Sequence, residues 1–238
     1  MKPVAIFRFS PEEGPGYFAE FLDAKAIPWE LIKVDLGDSV PLAADDYAGI
    51  CLMGGPMSVN DRLPWLPKVV SIVRDAFVKD VPMIGHCLGG QLISKGLGGL
   101  VRANSVKEIG WSRLFPACMP EAKKWLGSLA EEPFIVFQWH GETFDIPMHA
   151  NLIATNKFCR NQMVALGPHF AMQCHIEMTP EMIASWCAQW EAEQTRVSET
   201  VQASIEILSE VHMYLPKLRQ LADSIYSTWI KGLMQKTS

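Results

Sequence analysis

Short apolar runs alternate with amphipathic stretches along most of this 238-residue chain, and this alternation limits the folds open to it. The runs that suit buried strands are 4–9, 29–35, 49–54, 81–85, 133–139, 152–155 and 169–174. Stretches with the spacing of amphipathic helices lie between them, at 17–26, 65–79, 88–97 and 120–129. Strands that alternate with helices form βαβ units. The pattern therefore predicts an α/β fold with a mainly parallel sheet that helices cover on both faces.

The last part of the chain has a different, largely helical pattern. Thr179-Pro180-Glu181 supplies an N-cap, a proline at the first helical position and an acidic residue in the first turn. From there to Gln235 the pattern predicts almost continuous helix, interrupted chiefly at Pro216. Apolar residues recur there at helical spacing and are expected to pack onto the sheet or onto a second subunit: Trp186, Trp190, Ile205, Leu208 and Trp229.

Length and charge narrow the classes of function. The chain has room for one large domain and a small appendage, which we place at residues 1–190 and 191–238. A net charge of −5 and a pI near 5.7 give no electrostatic case for binding nucleic acid or anionic membranes. The N-terminus turns acidic before an apolar signal-peptide core forms, and no apolar stretch approaches membrane-spanning length. We expect a soluble, cytoplasmic protein with no nucleic-acid or membrane partner.

The six cysteines show no Cys-x-x-Cys pair and no zinc-ligand spacing, so we expect reduced thiols and no metal: Cys51, Cys87, Cys118, Cys159, Cys174 and Cys187. Cys87 differs from the rest because it lies between a strand-like run and a helical stretch, in VPMIGHCLGGQLISKGLGG (81–99). The free N–H groups of a first helical turn favour a thiolate. The neighbouring glycines at 85, 89 and 90 permit unusual dihedrals and let a substrate approach the main chain.

Cys87 is therefore a candidate nucleophile, because active sites of parallel sheets lie at the carboxyl ends of strands. The alternative is a buried structural cysteine beside a turn. A nucleophilic thiol needs a base and a group that orients the base. Two stretches offer such a pair, His140-Gly-Glu142 and His175-Ile-Glu177, since residues i and i+2 of an extended chain share a face. Spacing alone does not choose between them, although His175 ends an apolar run and precedes a capped helix. His86 adjoins Cys87 and should point to the opposite face.

Acyl transfer also needs main-chain donors for the developing oxyanion. The N–H of Leu88, which follows the cysteine at a helix start, is one candidate. Gly55, in the turn of CLMGGPMS (51–58), is placed to supply the second.

Five motifs occur along the chain in the same order as in a known protein family: GGPMS (54–58), GHCLGGQ (85–91), EIGW (108–111), QWHGETFDIP (138–147) and HIE (175–177). Together they resemble class I glutamine amidotransferases, specifically the GMP-synthase-like glutaminase branch, over roughly residues 1–190. The resemblance implies a flavodoxin-like fold. It also implies that Cys87 is the nucleophile, that His175 is the general base and acid, and that Glu177 orients His175.

The same resemblance assigns His140 to a loop that holds the substrate, together with Gln91, Trp139 and Gly141. The substrate would be glutamine or a γ-glutamyl compound, and the reaction needs no metal or organic cofactor. The irregular spacing of His140, Glu142, Asp145 and His149 argues against a metal site there. Ile176 stands where the family usually has proline, and we expect altered loop stiffness but intact chemistry.

Three functions remain in view. The first is an amidotransferase or glutaminase that passes ammonia to a separate synthetase subunit. The second is a γ-glutamyl peptide hydrolase that uses the same thioester, and the third is a non-enzymatic redox sensor on the same scaffold. The intact Cys–His–Glu set argues against the third, and the sequence does not separate the first two. Without a GxxxxGK[ST] phosphate loop, we expect no ATP-dependent step in this chain. The sequence is compatible with a homo-oligomer.

Overall fold

A computed structural model describes residues 1–189 and 197–234, so the expectations for Trp190 and Gln235 lie outside the described residues. The strands are β1 (Val4–Arg8), β2 (Trp29–Lys33), β3 (Gly49–Leu52), β4 (Met83–His86), β5 (Val101–Pro116), β6 (Phe134–Phe144), β7 (Asn151–Thr155), β8 (Met163–Leu166) and β9 (His169–Met172). The α-helices are α1 (Gly16–Ala24), α2 (Leu66–Val78), α3 (Leu88–Gly96), α4 (Pro120–Leu126), α5 (Pro180–Gln189) and α6 (Ser204–Met234).

The described strands form one sheet in the order β2-β1-β3-β4-β9-β8-β7-β5-β6, which confirms the predicted α/β fold class. The strands from β2 to β9 in this order pair in parallel, and the remaining pairs are antiparallel. The alternation of strands and helices revealed the parallel half, whose helical crossovers leave a pattern in the sequence. It did not reveal β5 and β8. The buried and exposed residues of β5, the partner of β6, do not alternate regularly, and β8 is joined to β9 by a two-residue turn.

Alternate residues of the central strand β1 face opposite layers of helices. Val4 and Ile6 join the apolar cluster that α1, α4, α5 and α6 cover. Ala5 and Phe7 join the cluster that α2 and α3 cover. The period of two along a strand thus buries both faces, as expected for a parallel sheet between helices.

The helix α6 differs from its prediction in two respects. It runs unbroken from Ser204 to Met234 with Pro216 inside, so the predicted interruption there is wrong. Its burial against α1, α4, α5 and β6 offsets the hydrogen bond that a proline removes. Residues 197–203 are not helical and instead contact β5, where the Ile109 N–H donates to the Thr200 carbonyl at 2.8 Å. None of the described helices has an apolar stretch long enough to cross a membrane.

The predicted packing of the late apolar residues is confirmed for Trp186 and Trp229, each of which is 1% exposed. Ile205 and Leu208 are exposed and do not pack onto the sheet, because the buried side of the helix there passes through Ile207. For these two residues, packing onto a second subunit stays a prediction. The boundary at residue 190 stays a prediction, although α6 shares one continuous apolar cluster with the sheet.

Two isoleucines of α6 test this packing as a matched pair. Ile225 is fully buried and Ile205 is 79% exposed. We expect Ile225→Ala to lower the free energy of unfolding by about 2–5 kcal/mol, because it leaves a cavity in the core. Ile205→Ala should change it by less than about 0.5 kcal/mol. Urea unfolding followed by circular dichroism measures both, and similar losses in the two variants would contradict the packing of α6.

Candidate active site

Cys87 occupies a sharp turn between β4, which ends at His86, and α3, which begins at Leu88. Its φ is +48°, a conformation that costs free energy for any residue with a side chain. A turn of this kind between strand and helix lifts the side chain at its apex out of the sheet, as in nucleophile elbows. The structure therefore presents the Cys87 thiol at the carboxyl edge of the parallel strands.

The glycines around Cys87 serve close packing instead of unusual dihedrals. None of Gly85, Gly89 and Gly90 has a positive φ, so the expectation that they supply unusual dihedrals is wrong. A Cβ on Gly89 would lie 2.5 Å from the Leu52 carbonyl carbon of β3, and one on Gly90 would lie 3.0 Å from the Met172 backbone of β9. The start of α3 thus lies directly on the neighbouring strands, and the backbone strain falls on Cys87 itself.

His175 follows β9 and is held by its surroundings on two sides. Its backbone N–H donates to the Phe137 carbonyl of β6 at 2.8 Å, and its ring meets Trp186 of α5 edge-on at 4.8 Å. The His175 Nδ1–H donates to Glu177 Oε1 at 2.6 Å, and both side chains are 1% exposed. This hydrogen bond leaves Nε2 free to act, and the His175 and Cys87 side chains are close enough for each to shift the pKa of the other. The structure thus brings together Cys87, His175 and Glu177.

The electrostatics of these three groups favour proton transfer from sulfur to nitrogen. Burial alone would raise the pKa of Glu177, but His86 and His175 outweigh it and lower that pKa to about 2. Burial would lower the pKa of His175, but Glu177 and Cys87 outweigh it and raise that pKa well above its usual value. Burial raises the pKa of the Cys87 thiol against the opposing charge of His175. A thiol whose pKa is raised by burial needs a base, and the His175 imidazole, whose pKa is also raised, is placed to take its proton.

His86 lies behind this group and faces away from Cys87, as predicted. Its Nε2 is 3.0 Å from the Tyr226 hydroxyl of α6 and 3.8 Å from Glu177 Oε2. Glu177 is therefore placed between two histidines. Sequence reasoning missed this support, because Tyr226 is 140 residues away from His86 and no local pattern links them.

A cavity of about 500 Å³ opens above Cys87. Its lining includes predicted oxyanion and substrate residues, namely Gly55, Gln91, Trp139, His140 and Gly141. It also includes titratable residues that sequence reasoning did not single out, namely Glu13, Asp61 and Lys107. Gly55 and Leu88 are neighbours, since a Cβ on Gly55 would lie 2.7 Å from Leu88 Cδ2. The two backbone segments expected to bind the oxyanion are thus adjacent.

Gln91 is buried at the floor of this cavity and is tied to the nucleophile through a second glutamine. Gln91 Nε2 donates to Gln173 Oε1 at 3.2 Å, and Gln173 Nε2 lies 3.5 Å from Cys87 Sγ. Gln91 Oε1 has no hydrogen-bond partner and is buried. The side chain that was predicted to hold substrate thus also packs beneath the thiol, and Gln173 is a site residue that sequence reasoning missed.

His140 lies on the strand β6 and not in a loop, which corrects the expectation. Its Nδ1–H donates to the Glu142 backbone carbonyl at 2.9 Å, and its Nε2 is 3.2 Å from Glu108 Oε2. Glu108 also accepts hydrogen bonds from Asn156 at 2.5 Å and Gln162 at 2.9 Å. His140 is therefore fixed in the cavity wall by a buried hydrogen-bond network.

The only group of three metal-ligand side chains found among the described residues lies in this network. Ligand atoms of Glu108, His140 and Cys159 are within 4.8 Å of one another. Cys159 Sγ is 3.2 Å from the Thr143 hydroxyl, and Glu108 and His140 have the partners just described. Hydrogen bonds already satisfy these atoms, so the network is explained without an ion. The group shares only His140 with the irregular set of acids and histidines noted in the sequence.

Glu13 enters the cavity from the loop between β1 and α1. Its side chain is 5% exposed, and Oε2 is buried without a hydrogen-bond partner. Burial raises the pKa of Glu13 to about 8, against the opposing charge of His175. Sequence reasoning gave no role to the EEGPG segment (12–16) and missed this side chain.

Comparison with known proteins points to one family. The model of the family described as glutamine amidotransferase class-I matches residues 23–185. A solved structure, that of a glutamine amido transferase from Methylobacillus flagellatus, is 41% identical, with a TM-score of 0.93 over 98% of this chain and 95% of that chain. Gamma-glutamyl peptidase 3 of Arabidopsis thaliana is 26% identical over 179 residues, 71% of each chain. GMP synthase of Borreliella burgdorferi is 31% identical over 115 residues, which are 48% of this chain and 21% of that enzyme.

The buried carboxyl group of Glu13 predicts a pH-dependent stability difference that requires no assay of activity. A glutamate ionises near pH 4.3 when unfolded, whereas folded Glu13 holds its proton to about pH 8. The folded state therefore binds more protons in this window, and stability falls as the pH rises through it. We expect Glu13→Gln to raise the melting temperature by roughly 5 °C or more at pH 8, with little change at pH 5.

Glu177→Gln is the matched control, for which we expect the opposite dependence of stability on pH. Because the pKa of Glu177 is lowered to about 2, this carboxylate stabilises the fold above about pH 4.3 and loses that effect as the pH falls toward 2. Glu177→Gln should therefore melt below the wild type at pH 7 and approach it below pH 4. Glu12, His175 and Glu177 face the Glu13 carboxyl group and are unchanged in Glu13→Gln. A Glu13→Gln difference that does not vary with pH would contradict this account.

Proposed function

The chain belongs to the class I glutamine amidotransferase family, and we propose that it hydrolyses the side-chain amide of glutamine through a thioester on Cys87. One observation carries the proposal. Cys87 lies on a strained turn in the wall of a cavity and interacts electrostatically with His175, which Glu177 holds at 2.6 Å. A thiol, a base and an orienting carboxylate in this order suit nucleophilic acyl transfer.

The reaction begins when His175 Nε2 takes the proton of the Cys87 thiol. The thiolate attacks the carboxamide carbon of glutamine, and the N–H groups of Leu88 and Gly55 bind the oxyanion. His175 then gives its proton to the departing nitrogen, so ammonia leaves and a γ-glutamyl thioester remains. Water, deprotonated by His175, attacks the thioester carbon. Glutamate leaves, and the proton returns to the sulfur.

Glu177 supports both steps through His175. Its charge raises the pKa of the imidazole, which makes His175 a better base for a thiol whose own pKa is raised by burial. Its hydrogen bond to Nδ1 keeps Nε2 turned toward the sulfur. The cavity wall formed by Gln91, Trp139, His140 and Gly141 would hold the amino-acid end of the substrate.

A γ-glutamyl peptide is the second candidate substrate, since one relative that spans 71% of each chain is named a gamma-glutamyl peptidase. Such a substrate forms the same acyl-enzyme and differs only in the amine that leaves. A redox-sensing role has less support, because redox-sensor cysteines are exposed and have a low pKa, whereas Cys87 is 6% exposed and its pKa is raised.

The ammonia would pass to a separate synthetase subunit if the chain is an amidotransferase component. The match to GMP synthase covers only about a fifth of the length of that enzyme, so most of the GMP synthase polypeptide has no counterpart in the matched region. We infer that this chain hydrolyses its substrate without ATP, and that its rate on glutamine rises when a synthetase partner docks near the cavity.

Substitutions in the three central residues test the mechanism. Cys87→Ala and His175→Asn should each lower kcat for glutamate release by about 10⁴-fold or more, because residues that act as a unit are not additive. Glu177→Gln should cost less, about 10²-fold, since the imidazole remains. Cys118→Ala, which removes an exposed thiol, is the control and should leave kcat unchanged. His140→Asn should mainly raise KM. A larger loss of kcat in His140→Asn than in His175→Asn would exchange the roles of the two histidines.

The substrate is tested by following glutamate release from glutamine and from γ-glutamyl dipeptides, with and without ATP. We expect glutamine to be hydrolysed at a rate that ATP does not change, and calorimetry to show no ATP binding. A higher kcat/KM on the dipeptides would favour the peptidase. Stoichiometric consumption of ATP would contradict both functions.

A further inference from the structure

Glu13 is a buried carboxyl group in the cavity that the mechanism above does not use. Its side chain is 5% exposed, it lines the cavity with Cys87, and its Oε2 has no hydrogen-bond partner. Burying a polar group without a partner costs free energy, so most such groups are paired in folded proteins. An unpaired carboxyl oxygen in a reaction cavity indicates a ligand that donates a hydrogen bond to it.

The loop that carries Glu13 is fixed by the same elements that position the base. The Trp186 indole N–H donates to the Glu12 carbonyl at 2.9 Å, and the Tyr17 N–H donates to the Glu177 carbonyl at 2.8 Å. Trp186 is also the ring on which His175 packs. The loop that carries Glu13 is therefore fixed relative to His175.

The position of Glu13 relative to His175 defines what the carboxyl group can reach. A Cβ added to Gly54 would overlap Glu13 Oε2 and would lie 3.0 Å from His175 Cε1, so Glu13 Oε2 lies beside His175 Cε1, in the place that a side chain at position 54 would take. Cε1 lies between Nδ1, which bonds Glu177, and Nε2, which must deliver a proton to the departing nitrogen. A group beside Cε1 is thus close to the nitrogen that must deliver the proton. Gly54 lacks a side chain, which leaves room for the Glu13 carboxyl group at this position.

We propose that Glu13 is a further catalytic residue of the reaction proposed above, whose carboxyl oxygen accepts a hydrogen bond from an N–H of the departing amine. The proposal rests on that reaction and narrows its substrate class to γ-glutamyl amides whose leaving nitrogen carries hydrogen. No covalent bond forms at Glu13, and its own proton stays in place. His175 supplies the proton that the leaving nitrogen needs, and the hydrogen bond to Glu13 orients the nitrogen lone pair toward Nε2.

The charge state of Glu13 is consistent with this role. Burial raises its pKa to about 8, so the carboxyl group is neutral at pH 7 and accepts a hydrogen bond without repelling the Cys87 thiolate. A permanently charged carboxylate at this position would raise the free energy of the thiolate, since Glu13 raises the pKa of Cys87 when ionised.

The test compares two substrates that share the acyl group and differ in the leaving group: glutamine and the γ-methyl ester of glutamate. The ester releases an alcohol, which has no N–H for Glu13. Glu13→Ala should lower kcat/KM on glutamine about tenfold or more and on the ester by less than about threefold. Glu13→Gln, which keeps an acceptor oxygen, should restore most of the rate lost in Glu13→Ala. Thermal melting of each variant checks that the fold is retained.

Equal losses on the two substrates, or no loss on glutamine, would overturn the role of Glu13. A Glu13→Gln variant as impaired as Glu13→Ala would also overturn it, because a neutral acceptor would then not suffice. A wild-type chain inactive on both substrates would instead overturn the proposed function, and this inference with it. Wild-type activity on both therefore separates the two failures.

Discussion

The hydrogen bond from His175 Nδ1 to Glu177 Oε1 is 2.6 Å long and almost completely enclosed by protein. A carboxylate buried to this extent is costly unless opposite charge and hydrogen bonds surround it. His175 and His86 supply that compensation from two sides. Removing one partner would leave an uncompensated charge in the core, so the charge of Glu177 stabilises the positions of both histidines.

Distant parts of the chain converge on this one carboxylate. Tyr226 of α6 holds His86, Trp186 of α5 packs on His175, and the Phe137 carbonyl of β6 anchors the backbone of His175. The site is therefore preorganised by helices that carry no reacting group. The strand order also brings site residues together. Adjacent strands β1, β3, β4 and β9 are followed, in that order, by Glu13, Gly55, Cys87 and His175. The carboxyl edge of a parallel sheet gathers them into one cavity.

The parts of the fold and site that sequence reasoning could predict are those with a local cause. A glycine-flanked cysteine between strand and helix, and a histidine two residues before a glutamate, are short-range patterns, and both lie where expected. Contacts across long sequence separations left no such pattern. The strand β5 forms because β6 pairs with it, and His86 depends on a tyrosine 140 residues away. The helix break predicted at Pro216 follows from the local preference of proline, which the burial of α6 overrides. Glu13 carried no signal, since an acidic residue before glycine and proline is also typical of a solvated loop.

The central claim is that Cys87 carries the γ-glutamyl group during turnover. Mass spectrometry of the protein, quenched in acid while it hydrolyses glutamine, tests this most directly. The account predicts one γ-glutamyl adduct per chain, in the peptide that contains Cys87, and its release by hydroxylamine as expected of a thioester. Glutamate formation with no adduct under any quench condition, or with the adduct on another of the six cysteines, would contradict it.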